Sequence, residues 1–307
     1  MRPLKTQMPR PHRPLAHTPT KRTTGSRAVV WLAEHLRRLW GHRFPRLGVR
    51  PFRFIVGRLP SPHLTELQPG LVVPIYPARV VEITTWWQGI RYEAPTASIL
   101  LGWLASADRF FDIGANYGWY SYLALSRAPH LGVVAFEPNP ELVERMRQVK
   151  QEHALSRFLV EQTALADAAG TAPLHLGGDP AHATLGDHPH LPATGQLVQV
   201  ETFDRWCAHQ GIPLPTSPRW VAKIDAEGFE RKILLGMEAS LQAQAFSGLV
   251  VELNEYTLAF CGTSAAEVVA ELARHGYRRL EVSMRDEVEN GFFVPAAGER
   301  QRRTSLA

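Results

Sequence analysis

The chain has 307 residues, 45% hydrophobic and 21% charged, ordinary globular proportions that exclude wholesale disorder. The net charge is +5 at pH 7, but 13 of the 34 Lys and Arg residues and only one of the 29 acids, Glu34, fall in residues 1–53, leaving the rest with 21 basic against 28 acidic residues. That distribution excludes a basic body tracking nucleic-acid phosphates and points to a basic N-terminal leader.

Two cysteines, Cys207 and Cys261, cannot frame a disulfide scaffold or a metal finger, and they fit a reducing, cytoplasmic setting. No run reaches the roughly 18 apolar residues of a membrane span. The reading is therefore a leader over 1–50, one main domain over 51–297 and a polar tail over 298–307.

Residues 1–27 mix Pro, His, Thr and Arg with few large apolar groups and are expected to be disordered. Val29, Leu32, Ala33, Leu36, Leu39 and Trp40 then fall at helical spacing, with Arg37, Arg38 and His35 lying mostly elsewhere. Such a basic amphipathic helix either packs on its own domain or lies on an anionic membrane as a peripheral contact.

The Pro-rich lead-in over 51–108 carries β-branched runs at 71–77 and 79–85, which predict strands or irregular chain, and then a helix over 94–105. From residue 109 strands (109–113, 132–136, 158–162) alternate with helices (118–126, 141–153), the second opened by Pro140. An insertion over 171–201 pairs strands at 171–176 and 196–201 around a loop, 177–195, rich in His, Pro and Gly. The alternation resumes with a helix over 202–209, a strand over 220–224, a helix over 227–235 and a strand over 248–253. Ser264 and Glu267 form a capping box for a helix that runs to His275 and stops at Gly276. Strands over 277–284 and 291–295 close a core that spans 109–295. Helices between strands mean βαβ units and a mainly parallel sheet; the last two strands lack a helix between them, so one enters antiparallel.

The most informative stretch is Phe110-Phe111-Asp112-Ile113-Gly114-Ala115-Asn116-Tyr117-Gly118, where a strand ends and a helix begins. Ligands of open α/β sheets bind at the carboxyl ends of strands, and a turn of Gly, Asn and Gly allows close backbone approach. The dinucleotide pattern G-x-G-x-x-G fails, because its third position from Gly114 is Asn116 and its sixth is Trp119. Asp112 would also repel a pyrophosphate. It suits a ligand with a cationic end, and S-adenosylmethionine carries both a sulfonium and an ammonium group. Glu137, after the second strand, can accept two ribose hydroxyls, and Asp167, after the third, can accept an adenine amino group.

Asp112-Ile-Gly-Ala-Asn-Tyr-Gly118, Ala135-Phe-Glu-Pro-Asn-Pro140 and Lys223-Ile-Asp-Ala-Glu-Gly-Phe-Glu230 together resemble the FkbM-type S-adenosylmethionine-dependent methyltransferases, over about residues 80–256. The resemblance implies an α/β, class I methyltransferase (Rossmann-like) fold: a seven-stranded sheet with an antiparallel last strand and helices on both faces. It implies methyl transfer to a hydroxyl of a sugar, glycolipid or natural-product acceptor. It places Asp112, Gly114, Asn116 and Gly118 along the methionine part of the cofactor, Glu137 at the ribose and Asp167 near the adenine. Ala226 departs from the β-branched residue more usual there.

A hydroxyl acceptor must lose its proton, and a positioned base contributes roughly 10²–10⁴-fold. Asp225 ends a strand beside the cofactor, and also stands where it would cap the following helix. Lys223, two residues back on the same face, is a catalytic candidate with Asp225 and Glu252, and it either pairs with a neighbouring carboxylate or acts as a base. Glu227 and Glu230 follow on the predicted first helical turn, and Glu252, Asn254 and Glu255 end the next strand. Asp225, Glu252 and Asn254 offer the oxygen ligands that magnesium prefers, but such side chains are common at strand ends, so no metal site is assigned. His182, His188 and His190 lie in the insertion loop, the natural place for acceptor selection.

The Asn/Asp-Pro-Pro-aromatic run of amino-methylating nucleic-acid enzymes is replaced by Asp225-Ala226-Glu227-Gly228. A small-molecule, glycan or glycolipid acceptor is therefore expected, and no nucleic acid. The alternatives are a non-catalytic nucleoside-binding module and, behind it, a nicotinamide-dependent oxidoreductase.

Overall fold

The fold follows from how short apolar strands present alternate residues to two sides. In the computed structural model, which describes residues 27–41, 52–176, 183–185, 193–282 and 290–296, the central sheet contains β3 (Arg109–Ile113), β4 (Gly132–Phe136), β5 (Phe158–Glu161), β10 (Trp220–Ile224), β11 (Phe246–Glu252), β12 (Tyr277–Arg279) and β13 (Asn290–Pro295). Their order is β12-β13-β11-β10-β3-β4-β5. The five strands from β11 to β5 run parallel, and β13 enters antiparallel between β11 and β12. This is the seven-stranded sheet of the class I methyltransferase fold.

Strand alternation divides the interior into two cores. Phe110, Val133, Val221, Val250 and Phe292 face α4 (Ala94–Leu104), α5 (Trp119–Arg127) and α6 (Pro140–Glu152). Phe111, Val134, Ala222, Leu249 and Phe293 face α7 (Phe203–His209), α8 (Glu230–Leu235), α9 (Glu238–Gln242) and α11 (Ala265–Arg274). On that second side Phe111 meets Phe203 edge-on at 4.8 Å and Trp220 at 5.2 Å. With helices on both faces, the parallel strands read as continuous apolar runs.

The lead-in differs from expectation in one element. Residues 71–77 give β2 (Leu71–Ile75), paired antiparallel with β1 (His63–Gln68), but 79–85 lies in helix α3 (Val80–Gln88). Burial overrides β-branched propensity there: Trp86 and Trp87 are buried, and Glu82 accepts a bidentate pair of bonds from Arg145 of α6, at 2.8 and 2.7 Å. The Tyr76 amide and Arg79 also donate to Glu82.

Helix α1 (Arg27–Leu36) continues as a π-turn, Arg37–Gly41, covering the predicted helical stretch 29–40 and starting two residues earlier, at Arg27, which was expected to be disordered. It packs on its own domain through Glu34, which accepts from Arg37, His63 and Thr65 at 3.1 Å each. Burial alone would raise the Glu34 pKa; those partners outweigh it and pull it down to about 2. Residues 1–26 and the polar tail lie outside the described residues.

The insertion builds a second sheet in the order β6-β9-β7-β8, from β6 (Ala164–Leu165), β7 (Gly170–Leu176), β8 (Ala183–Thr184) and β9 (Ala193–Glu201). The two strands expected at 171–176 and 196–201 are β7 and β9, which pair antiparallel.

Candidate active site

The carboxyl ends of the parallel strands open onto one cavity of about 540 Å³. Asp112, Gly114 and Asn116 reach it from β3 and the turn after it, Glu137 from the end of β4, and Thr163–Leu165 from beyond β5. Lys223 and Asp225 reach it from β10, and Glu252 and Asn254 from β11.

Gly114 has φ +76°, and a Cβ added there would lie 1.8 Å from the Asp225 carbonyl oxygen. The close approach is thus between two segments of this chain, and it locks the β3 turn against the end of β10. Gly118 lies outside the cavity lining, contrary to expectation. It starts α5 with φ +95°, and an added Cβ would meet Met146 Sδ and Tyr122 at 3.0 Å, so it serves packing between α5 and α6.

Asp112 is 2% exposed, and its Oδ2 accepts from the Ser121 amide at 2.9 Å and the Ser121 hydroxyl at 2.6 Å. Burial pushes its pKa up against the opposing effects of Lys223 and Ser121. Asn116 sits at φ +54°, its amide donates to Glu137 Oε2 at 2.8 Å, and its Oδ1 accepts from the Tyr117 amide at 2.7 Å. The other Glu137 oxygen accepts from the Asn139 amide at 2.9 Å. Two backbone donors thus aim this carboxylate while leaving lone pairs for further donors. Burial drives the Glu137 pKa up to about 7 even against those two bonds.

Asp167 is exposed and does not line the cavity. Beyond β5 the chain turns into β6, which pairs with β9, and carries Asp167 past the rim. Thr163, Ala164 and Leu165 stand at that end of the cavity instead.

At the other end, Lys223 is buried, and its Nζ lies 2.5 Å from Asp225 Oδ2 and 4.8 Å from the Tyr120 ring centre. Burial alone would lower the Lys223 pKa; the charges of Asp225, Glu93 and Asp112 reverse this and hold the ammonium well above its usual range. Asp225 is not a helix cap. Helix α8 begins only at Glu230, its N-cap is Phe229, and residues 226–228 form a loop with Glu227 at φ +51° and Gly228 at φ +103°. Glu227 therefore lies off the helix on which it was expected, and lines the cavity.

Glu230 is fully buried beneath that loop, where its Oε1 accepts from the amides of Ala226 at 2.8 Å and Gly228 at 3.3 Å. It does not line the cavity, and burial lifts its pKa to about 7. Burial, followed by the Asp225 charge, lifts Glu227 to about 8 and Glu252 to about 10. Asn254 caps α10 (Glu255–Phe260) through the Tyr256 amide at 3.0 Å. Among the described residues, no cluster of three or more His, Cys, Asp or Glu side chains is placed to hold a metal ion. His182, His188 and His190 lie outside the described residues, but Thr184 of β8 donates to the Glu227 carbonyl at 3.0 Å and ties the insertion to the site.

Among the lining residues that sequence reasoning missed are Tyr92, Glu93 and Tyr120. The Tyr120 hydroxyl donates to Glu93 Oε2 at 2.5 Å, and Tyr92 also hydrogen-bonds Glu93. The available signal was an acid directly before a helix with Pro in its first turn. That reads as an N-cap, yet Glu93 makes no side-chain cap bond.

Residues 112–279 match the methyltransferase FkbM domain family. The chain is 30% identical over 202 residues to 31-O-demethyl-FK506 methyltransferase FkbM of Streptomyces tacrolimicus, spanning 57% of this chain and 74% of that relative. Among solved structures it is similar to the METTL16 MTase domain, at 11% identity over 75% of each chain with a TM-score of 0.45. It is also similar to precorrin-6y C5,15-methyltransferase from Geobacter metallireducens GS-15, at 14% identity over 64% of this chain and 83% of that one, TM-score 0.35. The family match takes in the β3 turn, the Glu137 corner and the Lys223–Asp225 strand end, and this chain belongs to the FkbM methyltransferases.

Proposed function

We propose that the protein transfers the methyl group of S-adenosylmethionine to a hydroxyl of a sugar, glycolipid or natural-product acceptor. The observation that carries this reading is the Glu137 carboxylate, fixed by the amides of Asn116 and Asn139 at the end of β4 and facing the cavity beside the β3 turn. Its free lone pairs fit a ribose diol. The apolar edge formed by Ala164 and Leu165 fits an adenine face, and the acids beyond the turn fit a ligand with a positive end.

Bound there, S-adenosylmethionine supplies an electrophilic methyl group on a sulfonium. Glu137 holds and orients the nucleoside. Asp225, in contact with the Lys223 ammonium, is assigned to take the proton of the acceptor hydroxyl. Glu252 and Glu227, whose pKa values burial and the Asp225 charge push up, line the cavity beside Asp225, where they can hydrogen-bond acceptor oxygens. Holding the acceptor in line and excluding water supplies on the order of 7–11 kcal/mol. The S. tacrolimicus relative is by name an O-methyltransferase of a natural product, which supports a hydroxyl acceptor.

Calorimetric titration with S-adenosylmethionine, followed by transfer of labelled methyl to candidate acceptors, tests the reading. Binding with transfer to oxygen is expected. Binding without any transfer or cofactor hydrolysis favours a non-catalytic module, and binding of NADH in place of S-adenosylmethionine overturns it.

A further inference from the structure

We propose that Glu93 is the carboxylate that receives the α-ammonium group at the amino-acid end of the methyl donor. The inference rests on the donor proposed above and adds a binding residue from outside its motif blocks.

Strand order gives a ruler along the cavity, with neighbouring strands ~4.8 Å apart. Thr163 lies beyond β5, Glu137 ends β4, Gly114 ends β3 and Asp225 ends β10, in that spatial order. A ribose at Glu137 with the base toward Thr163 leaves the amino-acid end between β3 and β10. Glu93 reaches that gap: it lines the cavity, accepts from Tyr120 in the first turn of α5, and is close enough to Lys223 to raise its pKa.

Two neighbouring acids each commit one oxygen to a partner of their own. Asp112 Oδ2 takes both donors of Ser121, and Asp225 holds Lys223. The backbone at Glu93 is left-handed, φ +45°, in the N-cap position of α4, yet the side chain caps nothing. A non-glycine residue held in that conformation costs of order 1–3 kcal/mol and persists where the surroundings fix it. Here the hydrogen bonds from Tyr92 and Tyr120 fix the carboxylate in the cavity, away from the helix it precedes.

The test compares two ligands by calorimetry on the full chain: S-adenosylhomocysteine, which carries the ammonium, and 5′-methylthioadenosine, which lacks the amino-acid end. Glu93→Gln keeps the shape and removes the charge. It is expected to weaken S-adenosylhomocysteine by more than roughly tenfold, the scale of a charge-assisted hydrogen bond, while methylthioadenosine changes by less than about twofold. Reading the ratio of the two affinities makes the result independent of the fraction of variant that folds. An unchanged ratio in Glu93→Gln, whether both ligands weaken together or neither does, overturns the assignment. A wild-type protein that binds neither ligand overturns the donor reading itself.

Discussion

Lys223 Nζ and Asp225 Oδ2 stand 2.5 Å apart at the carboxyl end of β10, with the lysine side chain 5% and the aspartate 33% exposed. Their spacing of two residues puts both on one face of the strand, and β10 lies between β3 and β11. The pair therefore joins the β3 turn to the acids that end β11. Asp225→Asn should lower turnover by about 10²-fold or more, the lower range for loss of a positioned base, while donor affinity stays within about threefold. Steady-state methyl transfer and calorimetry separate the two; wild-type turnover would remove Asp225 from the chemistry.

Gly114 and Gly118 share one turn but answer to different neighbours. An alanine at 114 meets the Asp225 carbonyl, which is backbone, whereas an alanine at 118 meets mainly the flexible end of Met146. Gly114→Ala is expected to cost upward of about 2 kcal/mol and to abolish donor binding. Gly118→Ala should cost about 1–2 kcal/mol, the strain of its backbone, and spare binding. Urea unfolding with parallel calorimetry reads both.

Glu137 titrates near neutrality, at about 7. Ribose hydroxyls donating to it favour the ionised form, so donor binding at about pH 7 should release protons. Calorimetric heats measured in buffers of different ionisation enthalpy should diverge for the wild type and coincide for Glu137→Gln. Affinity of that variant should fall by more than roughly tenfold, as expected for losing hydrogen bonds to a charged acceptor.

Glu230 carries the same signature without facing the cavity: burial raises its pKa from 4.5 to about 7, and its Oε2 has no hydrogen-bond partner among the described residues. The folded protein binds this proton more tightly than the unfolded chain. The resulting stabilisation is full below pH 4.5 and is lost as pH climbs through about 7. The melting temperature of the ligand-free protein should therefore fall over that window. Glu230→Gln should flatten the fall; an unchanged slope would contradict the assignment.

Glu82 and Arg145 are 2% and 8% exposed and grip each other through two bonds. Removing one charge from a buried pair strands the other, a loss of about 3–5 kcal/mol. Glu82→Gln should show it in urea unfolding, whereas exposed Arg219, paired with exposed Asp108, should cost under about 1 kcal/mol when changed to Gln.

Much of the site was legible because strand ends announce themselves. Asp112, Glu137, Asp225 and Glu252 each lie at or next to the end of a short apolar run, and the sheet brings all four to the carboxyl ends of its parallel strands. What was hidden depends on backbone direction after the strand. Asp167 follows β5 as the other acids follow their strands, yet pairing of β6 with β9 carries it out of reach. Glu227 looked helical until its left-handed backbone placed it in a loop. Glu93 and Tyr92 arrive from a different part of the chain, and no periodicity reports the tertiary contact that brings them in. The strand expected over 79–85 failed for a related reason: Glu82 and the two tryptophans are specified by partners some sixty residues away in α6 and by the core.

The Glu82–Arg145 clamp also ties the lead-in to the family-matched segment. Family similarity starts at residue 112, but a fragment cut there would keep Arg145 and discard its counter-charge, along with Glu93 and the hairpin of β1 and β2. The matched segment thus shares a buried charge pair with the chain that precedes it.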